Sequence, residues 1–224
     1  MSTSTKTTDK NPKHIVNEAK QHIDNGFEQL GREIKNPSLL DRYLLAATYK
    51  SIRFCEAITV LCEKKLTDEA LPILRSLIEN TINMRWIINK DSDKRLKLYM
   101  NDLGDKGFGA QWTDVNLHDR MLELGFNDKT YFDFCVKLTY SHAHVNASSL
   151  RWGEVFDDPR LSKEKFSPES LYVVVAQMLG HVLKALDTHF TGNFKGYNDI
   201  WSQIKVDRNF RKKVEKMRES LKQN

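Results

Sequence analysis

Apolar residues return every three to four positions along nearly the whole chain, and no convincing period-2 alternation interrupts them. That periodicity predicts an all-α protein. A first helix is expected from His14 to about Lys35, stopped by Asn36-Pro37. A second spans about Leu39 to Lys65, with Leu44, Leu45, Ile52, Cys55, Ile58, Thr59 and Cys62 on its inner face. Thr67-Asp68-Glu69 starts a third helix that runs to about Asn89. Pro72 then falls in or near its first turn, where a missing amide proton costs little. Asp91 to Leu103 reads as a shorter polar helix, Thr113 to Leu124 as another short one, and Asp128 to about Trp152 as a long one. Ser167-Pro168-Glu169 gives an N-cap serine, a proline at the first helical position and an acid in the first turn. The valine-rich run behind it, Leu171 to Leu179, would suit a strand. The cap, and the continuation through Leu183, Leu186 and Phe190, favour a central buried helix. Gly192 to Tyr197 reads as a loop. The last helix, about 197–222, sets Trp201, Ile204, Phe210, Val214, Met217 and Leu221 against a basic face.

Composition limits what this array can be. A chain of 224 residues can enclose one sizeable core, and five prolines, ten glycines and no linker-like tract predict one helical domain over 14–224. The expected form is a bundle-like array of about six to eight helices. Residues 1–13 are rich in Ser, Thr and Lys, lack the apolar core of a signal peptide and read as a disordered lead-in. No run of about 18 apolar residues occurs, so no transmembrane helix and no membrane partner are expected. Cys55, Cys62 and Cys135 each sit among apolar residues, which fits reduced thiols in a cytoplasmic core. The net charge of +5 is concentrated. Eight basic residues against three acidic ones from Gln203 to Asn224, Lys212 and Lys213 among them, carry the whole excess. Such a face suits phosphate backbones or an acidic partner, although its aromatics fit the apolar stripe better than a base-stacking platform.

Two groups of residues carry candidate chemistry. On the third helix, with Leu71 at 0° and about 100° per residue, Arg75 falls near 40° and Glu79 near 80°, inside or beside the arc of Ile78, Ile82 and Trp86. The solvent arc is expected near Ser76, Asn80 and Asn83. Burying an ion pair costs several kcal/mol unless it finds further partners. The pair is therefore either a structural bridge between helices or part of a polar site. The second group is Tyr140-Ser141-His142-Ala143-His144-Val145-Asn146. On a continuous helix Lys137, Ser141, His144, Ser148 and Arg151 form a polar stripe, while Cys135, Leu138, His142, Val145 and Trp152 form an apolar one. His142 and His144 then point about 200° apart and cannot share a metal, and no further ligands stand at metal-site spacing. No metal or other cofactor is expected. Gly104-Asp105-Lys106-Gly107-Phe108-Gly109 lacks dinucleotide-binding or P-loop spacing and reads as a connector.

The Arg75-Ser76-Leu77-Ile78-Glu79 segment, the Tyr140-Ser141-x-x-His144 segment and the apolar helix that follows resemble a mostly bacterial all-helical family, domain of unknown function 5677, over about Leu39 to Phe190. The resemblance implies a compact helical array in a bacterial cytosolic protein. It favours His144, whereas periodicity sets His142 nearer the core. A looser similarity is to HEPN-type helical ribonucleases of toxin and phage-defence systems, which carry an arginine followed four to six residues later by a histidine. No such pair occurs here. That activity would need Arg75 and a histidine to converge from separate helices.

Two functions follow as expectations. The first is a binding or regulatory module in phage defence or stress response. Arg75, Glu79, Tyr140, Ser141, His142, His144 and Asn146 would line a polar pocket or interface, and Lys212 and Lys213 would meet an acidic or nucleic-acid partner. RNA, a nucleotide, another protein or a second copy of the chain are the expected partners. The alternative is a nuclease or other phosphodiester- or nucleotide-processing enzyme. In it Arg75 would stabilise phosphate charge, His142 or His144 would act as general acid/base, and Glu79 would orient the histidine.

Overall fold

A computed structural model describes residues 12–101, 113–126 and 167–204, and all of the regular structure in them is helical. The helices are α1 (Pro12–Glu33), α2 (Leu39–Glu63), α3 (Leu71–Asn89), α4 (Ser92–Asn101), α5 (Leu117–Glu123), α6 (Pro168–His189) and α7 (Tyr197–Gln203). Local chemistry sets several of their starts. Ser38 caps α2 through a reciprocal box: its hydroxyl accepts from the Asp41 amide, and the Asp41 carboxylate accepts from the Ser38 amide at 2.6 Å. Pro72 occupies the first turn of α3, and the Ser167-Pro168 start of α6 is as the sequence predicts.

Three boundaries differ from expectation. Pro12 and Lys13 already belong to α1, which starts before the expected His14. The helix expected from Thr113 starts at Leu117, because the Asn116 side chain accepts from the Asp119 amide and so defines its cap. The helix expected over 197–222 ends at Gln203, where Ile204 turns out of helical geometry at φ −72°, ψ 77°. The predicted helix over 128–152, the glycine cluster at 104–109 and the basic tail lie outside the described residues.

Two central helices organise the rest. α6 packs against α1, α3, α7 and α2, and α3 packs against α2, α6, α5 and α4. With neighbours on so many sides, α6 buries every residue from Val174 to Leu183, and α3 buries Leu74, Leu77, Ile78, Ile82 and Ile87 completely. Each such aliphatic side chain contributes about 1.5–3 kcal/mol of transfer free energy. Enclosure also overturns the solvent arc expected on α3. Asn80 Nδ2 donates to the Ala47 carbonyl and to Ser51 Oγ, both at 2.8 Å, so this arc faces α2. On α2 the buried face is Tyr43, Leu44, Ala47, Thr48, Ser51, Cys55, Ile58 and Cys62, with Leu45, Ile52 and Thr59 only half-buried.

Close approach is explicit at Gly26. A Cβ there would meet the fully buried Phe194 ring at 2.2 Å, so the α6–α7 connection seats on α1 only because position 26 has no side chain. Across the molecule, His189 Nε2 lies 2.6 Å from Asp41 Oδ1 and ties the end of α6 to the start of α2. Burial alone would raise the Asp41 carboxyl, but bonds from His189 and Ser38 outweigh it and hold it below the usual range. No helix among the described residues is long and apolar enough to cross a membrane.

Candidate functional site: an arginine cluster on α3 and α5

Arg75, Glu79 and Asn83 follow one another at intervals of four along α3 and so share one side of it. Arg75 Nε and Nη2 donate to Glu79 Oε1 at 2.7 and 2.6 Å. The pair is not sealed in the core as its helical angle implied. The Arg75 side chain is 13% exposed and Glu79 47%, which places them at the rim with the carboxylate outermost. A flexible side chain that starts beside an apolar arc can carry its charged end to the edge of it.

The partner across the rim is Arg120, on the inward side of α5 with Leu117 and Met121 and only 7% exposed. Its Nη1 donates to Asn83 Oδ1, and its Nε to the Asn116 carbonyl at 3.4 Å. Burial pushes the Arg120 guanidinium below the usual arginine range, and Arg75 pushes the same way. Glu79 and Tyr43 pull against that shift. Thus α3 and α5 set two like charges and one carboxylate within mutual electrostatic reach.

Tyr43 of α2 lies within electrostatic reach of Arg120. It is 8% exposed, and its ring meets Tyr99 of α4 edge-on at 5.1 Å between centroids. Its hydroxyl is fully buried and has no hydrogen-bond partner among the described residues. Burial pushes the Tyr43 phenol well above its ordinary value and Tyr99 adds to this, while the Arg120 charge opposes it. Both tyrosines are neutral at physiological pH. Guanidinium, carboxamide and phenol are all groups that donate hydrogen bonds to oxyanions. The Glu79 carboxylate is an acceptor that reaches solvent.

Two other polar arrangements on α3 are closed. Arg85 Nη1 lies 3.0 Å from His181 Nδ1, and since a guanidinium only donates, the ring nitrogen accepts. The His181 ring lies between Phe126 and Trp201, each 4.7 Å away between centroids. Burial, then Arg85 and Lys184, hold this imidazole well below its usual range and therefore neutral. Farther along, Glu123 of α5 accepts from Trp86 Nε1 at 2.6 Å and from Arg95 Nη2 at 2.6 Å. Neither of two described thiols offers a nucleophile: Cys55 and Cys62 are buried, and burial pushes Cys55 to about 12. Among the described residues no group of three His, Cys, Asp or Glu is placed to hold a metal ion.

Of the residues the sequence singles out, Arg75 and Glu79 meet in this cluster. Tyr140, Ser141, His142, His144, Asn146, Lys212 and Lys213 lie outside the described residues. Sequence reasoning missed Tyr43, Asn83, Arg120 and the Arg85–His181 pair. A usable signal existed for two of them. Arg120 stands at i+3 from Leu117 on the apolar side of its helix, and His181 is a histidine inside a run that is otherwise apolar.

No curated protein and no solved structure matches the chain. Residues 41–134 match the model of a family of unknown function, DUF5677, and that stretch contains Tyr43, Arg75, Glu79, Asn83, Tyr99 and Arg120 together.

Proposed function

We propose that this protein is a helical binding module for an anionic ligand, held at the Arg75–Glu79–Asn83–Arg120 cluster. One observation carries the reading: Arg120, almost fully buried on α5, is set against a helix that already carries Arg75. Bringing two guanidiniums together in a partly desolvated place costs free energy, and an incoming oxyanion offsets that cost with charge-assisted hydrogen bonds. Glu79 supports the role in two ways. It holds the Arg75 side chain in one orientation, and its exposed carboxylate can accept from a hydroxyl or amine on the ligand.

Thermal melting in a panel of anions tests this, with wild type beside Arg75→Gln and Arg120→Gln. A ligand at a hundred times its Kd should stabilise the wild type by about 2.7 kcal/mol, roughly 5–10 °C for a chain of this size. Both variants should lose most of that shift. A wild type whose melting is indifferent to phosphate, carboxylate, nucleotide and RNA alike overturns the reading. RNA cleavage lost in His142→Ala or His144→Ala would replace it with phosphodiester chemistry.

A further inference from the structure

The outer side of α2 carries a basic stripe that the rest of the described molecule does not neutralise. Arg42, Ala46, Tyr49, Lys50 and Arg53 are all exposed, and from Arg42 to Cys55 there are three basic residues and no acidic one. A solvated helix face ordinarily mixes both signs and sets opposite charges three or four residues apart. Arg42 and Lys50 have no carboxylate at those positions, and Lys50 stands three residues from the like charge of Arg53. The Arg42 guanidinium has no ion pair among the described residues. Lys50 Nζ lies 5.0 Å from the centre of the Phe54 ring, a contact that leaves its charge in place. Glu56, the next acid along the helix, already faces Lys20 at 3.5 Å, and Arg53 reaches it only at 4.0 Å. The Arg53 side chain is 64% exposed. On the other side, Asp41 is engaged by His189 and by its cap at Ser38.

Tyr49 stands within this stripe. At about 100° and 1.5 Å per residue, Arg42, Tyr49 and Arg53 fall within about 40° of one another, with the tyrosine about 10 Å beyond the first and 6 Å before the second. The Tyr49 ring is 65% exposed and has no aromatic, cationic or hydrogen-bonding partner among the described residues. We infer that this face of α2 binds single-stranded nucleic acid, with a base stacked on Tyr49 and phosphates held by Arg42, Lys50 and Arg53. The surface does not depend on the anion site proposed above. Positive charge alone would suit any polyanion, and the bare ring chooses among them. A duplex keeps its bases stacked on one another, and an acidic peptide or an anionic membrane supplies no base. A single strand brings both a row of phosphates and a free π-face at each step, the combination that cations flanking an aromatic ring recognise.

Anisotropy titrations of the full chain with labelled oligothymidylate and oligouridylate test this, beside duplex DNA, polyglutamate and phosphatidylglycerol vesicles. Tyr49→Ala should lose roughly 5- to 150-fold in affinity for the oligonucleotides, the worth of one stacked base, while Tyr49→Phe should match the wild type. Arg42→Gln, Lys50→Gln and Arg53→Gln should each flatten the fall of log affinity with log salt by about 0.7, one phosphate contact on a single strand. All four positions are exposed, so none of these changes should move the melting temperature by more than about 2 °C. Equal oligonucleotide affinity in Tyr49→Ala, or no oligonucleotide binding by the wild type, overturns the inference. A loss in Tyr49→Phe as large as in Tyr49→Ala also overturns it, because the hydroxyl and not the ring would then make the contact. Duplex, polyglutamate or vesicles bound as tightly as the single strands overturn it too. A loss seen only in Arg75→Gln, or only in the Lys212→Gln/Lys213→Gln double variant, would move the strand to the α3–α5 cluster or the basic tail and has the same force.

Discussion

Two arginine–carboxylate arrangements join α3 to α5, and they differ in how completely they are closed. In the Trp86–Arg95–Glu123 clamp each charge meets its opposite. Glu123 accepts from Arg95 and Trp86 at 2.6 Å and from Asn89 at 3.5 Å. Arg95 also donates to the Trp86 carbonyl, and its guanidinium stacks 3.6 Å from the centre of the indole. Burial would raise the Glu123 carboxyl, but the bonds from Arg95 and Trp86 prevail and hold it low. In the cluster around Arg120 the same residue types meet differently: the charges of Arg75 and Arg120 act on one another, and the Tyr43 phenol has no partner among the described residues. The clamp has satisfied its chemistry internally. The cluster leaves the Tyr43 hydroxyl without a partner among the described residues, and the proposed anion site rests on that contrast.

The largest test of the contrast is Arg95→Met. It strips Glu123 and the Trp86 carbonyl of their shared donor, and should cost about 3 kcal/mol, or roughly 6–12 °C in melting temperature. The shift produced by anions should survive, because the cluster keeps all its donors. If the anion response disappears with Arg95, the two arrangements are not separate.

Acidification should act on the clamp next. The folded Glu123 carboxyl lies below its ordinary value of 4.5. Its stabilisation is therefore complete above that value and is lost as pH falls through the lower, folded one. Glu123→Gln should melt below the wild type at neutral pH, and the gap should close as pH drops beneath about 4.5. A gap independent of pH would show that shape, not charge, holds the clamp.

The smallest effect should come from Glu79→Gln. An ion pair with a half-exposed carboxylate contributes about 0.2–1 kcal/mol, so melting without ligand should barely move. Anion affinity should change instead, because Arg75 loses the group that orients it. A destabilisation as large as that of Arg95→Met would make the cluster a second clamp.

Most of the fold was legible in the chain because the signals were local. Proline and serine at 167–168 and proline at 72 mark helix starts that tertiary packing did not move. The end of α7 at Gln203 was not legible, since the apolar spacing of Trp201, Ile204 and Phe210 continues straight through it. The site was half legible for the same reason. Arg75 and Glu79 stand four apart on one helix, so helical geometry alone pairs them. Arg120 and Tyr43 reach them from α5 and α2, and no periodicity within a helix reports a neighbour contributed by another. Asn80 and Asn83 looked solvated because angles on one helix do not reveal how many others surround it.

The packing of α1 on α6 has a consequence for synthesis. Ile15, Val16, Ala19, Ile23 and Leu30 of α1 leave the ribosome well before α6, the helix that α1 lies against. At 5–20 residues per second, roughly 140 residues of intervening chain take about 7–30 s to translate. For that interval α1 lacks α6, and Gly26 has no Phe194 to receive. The apolar stripe of α1 is therefore covered by α6 only after the whole intervening chain has been made.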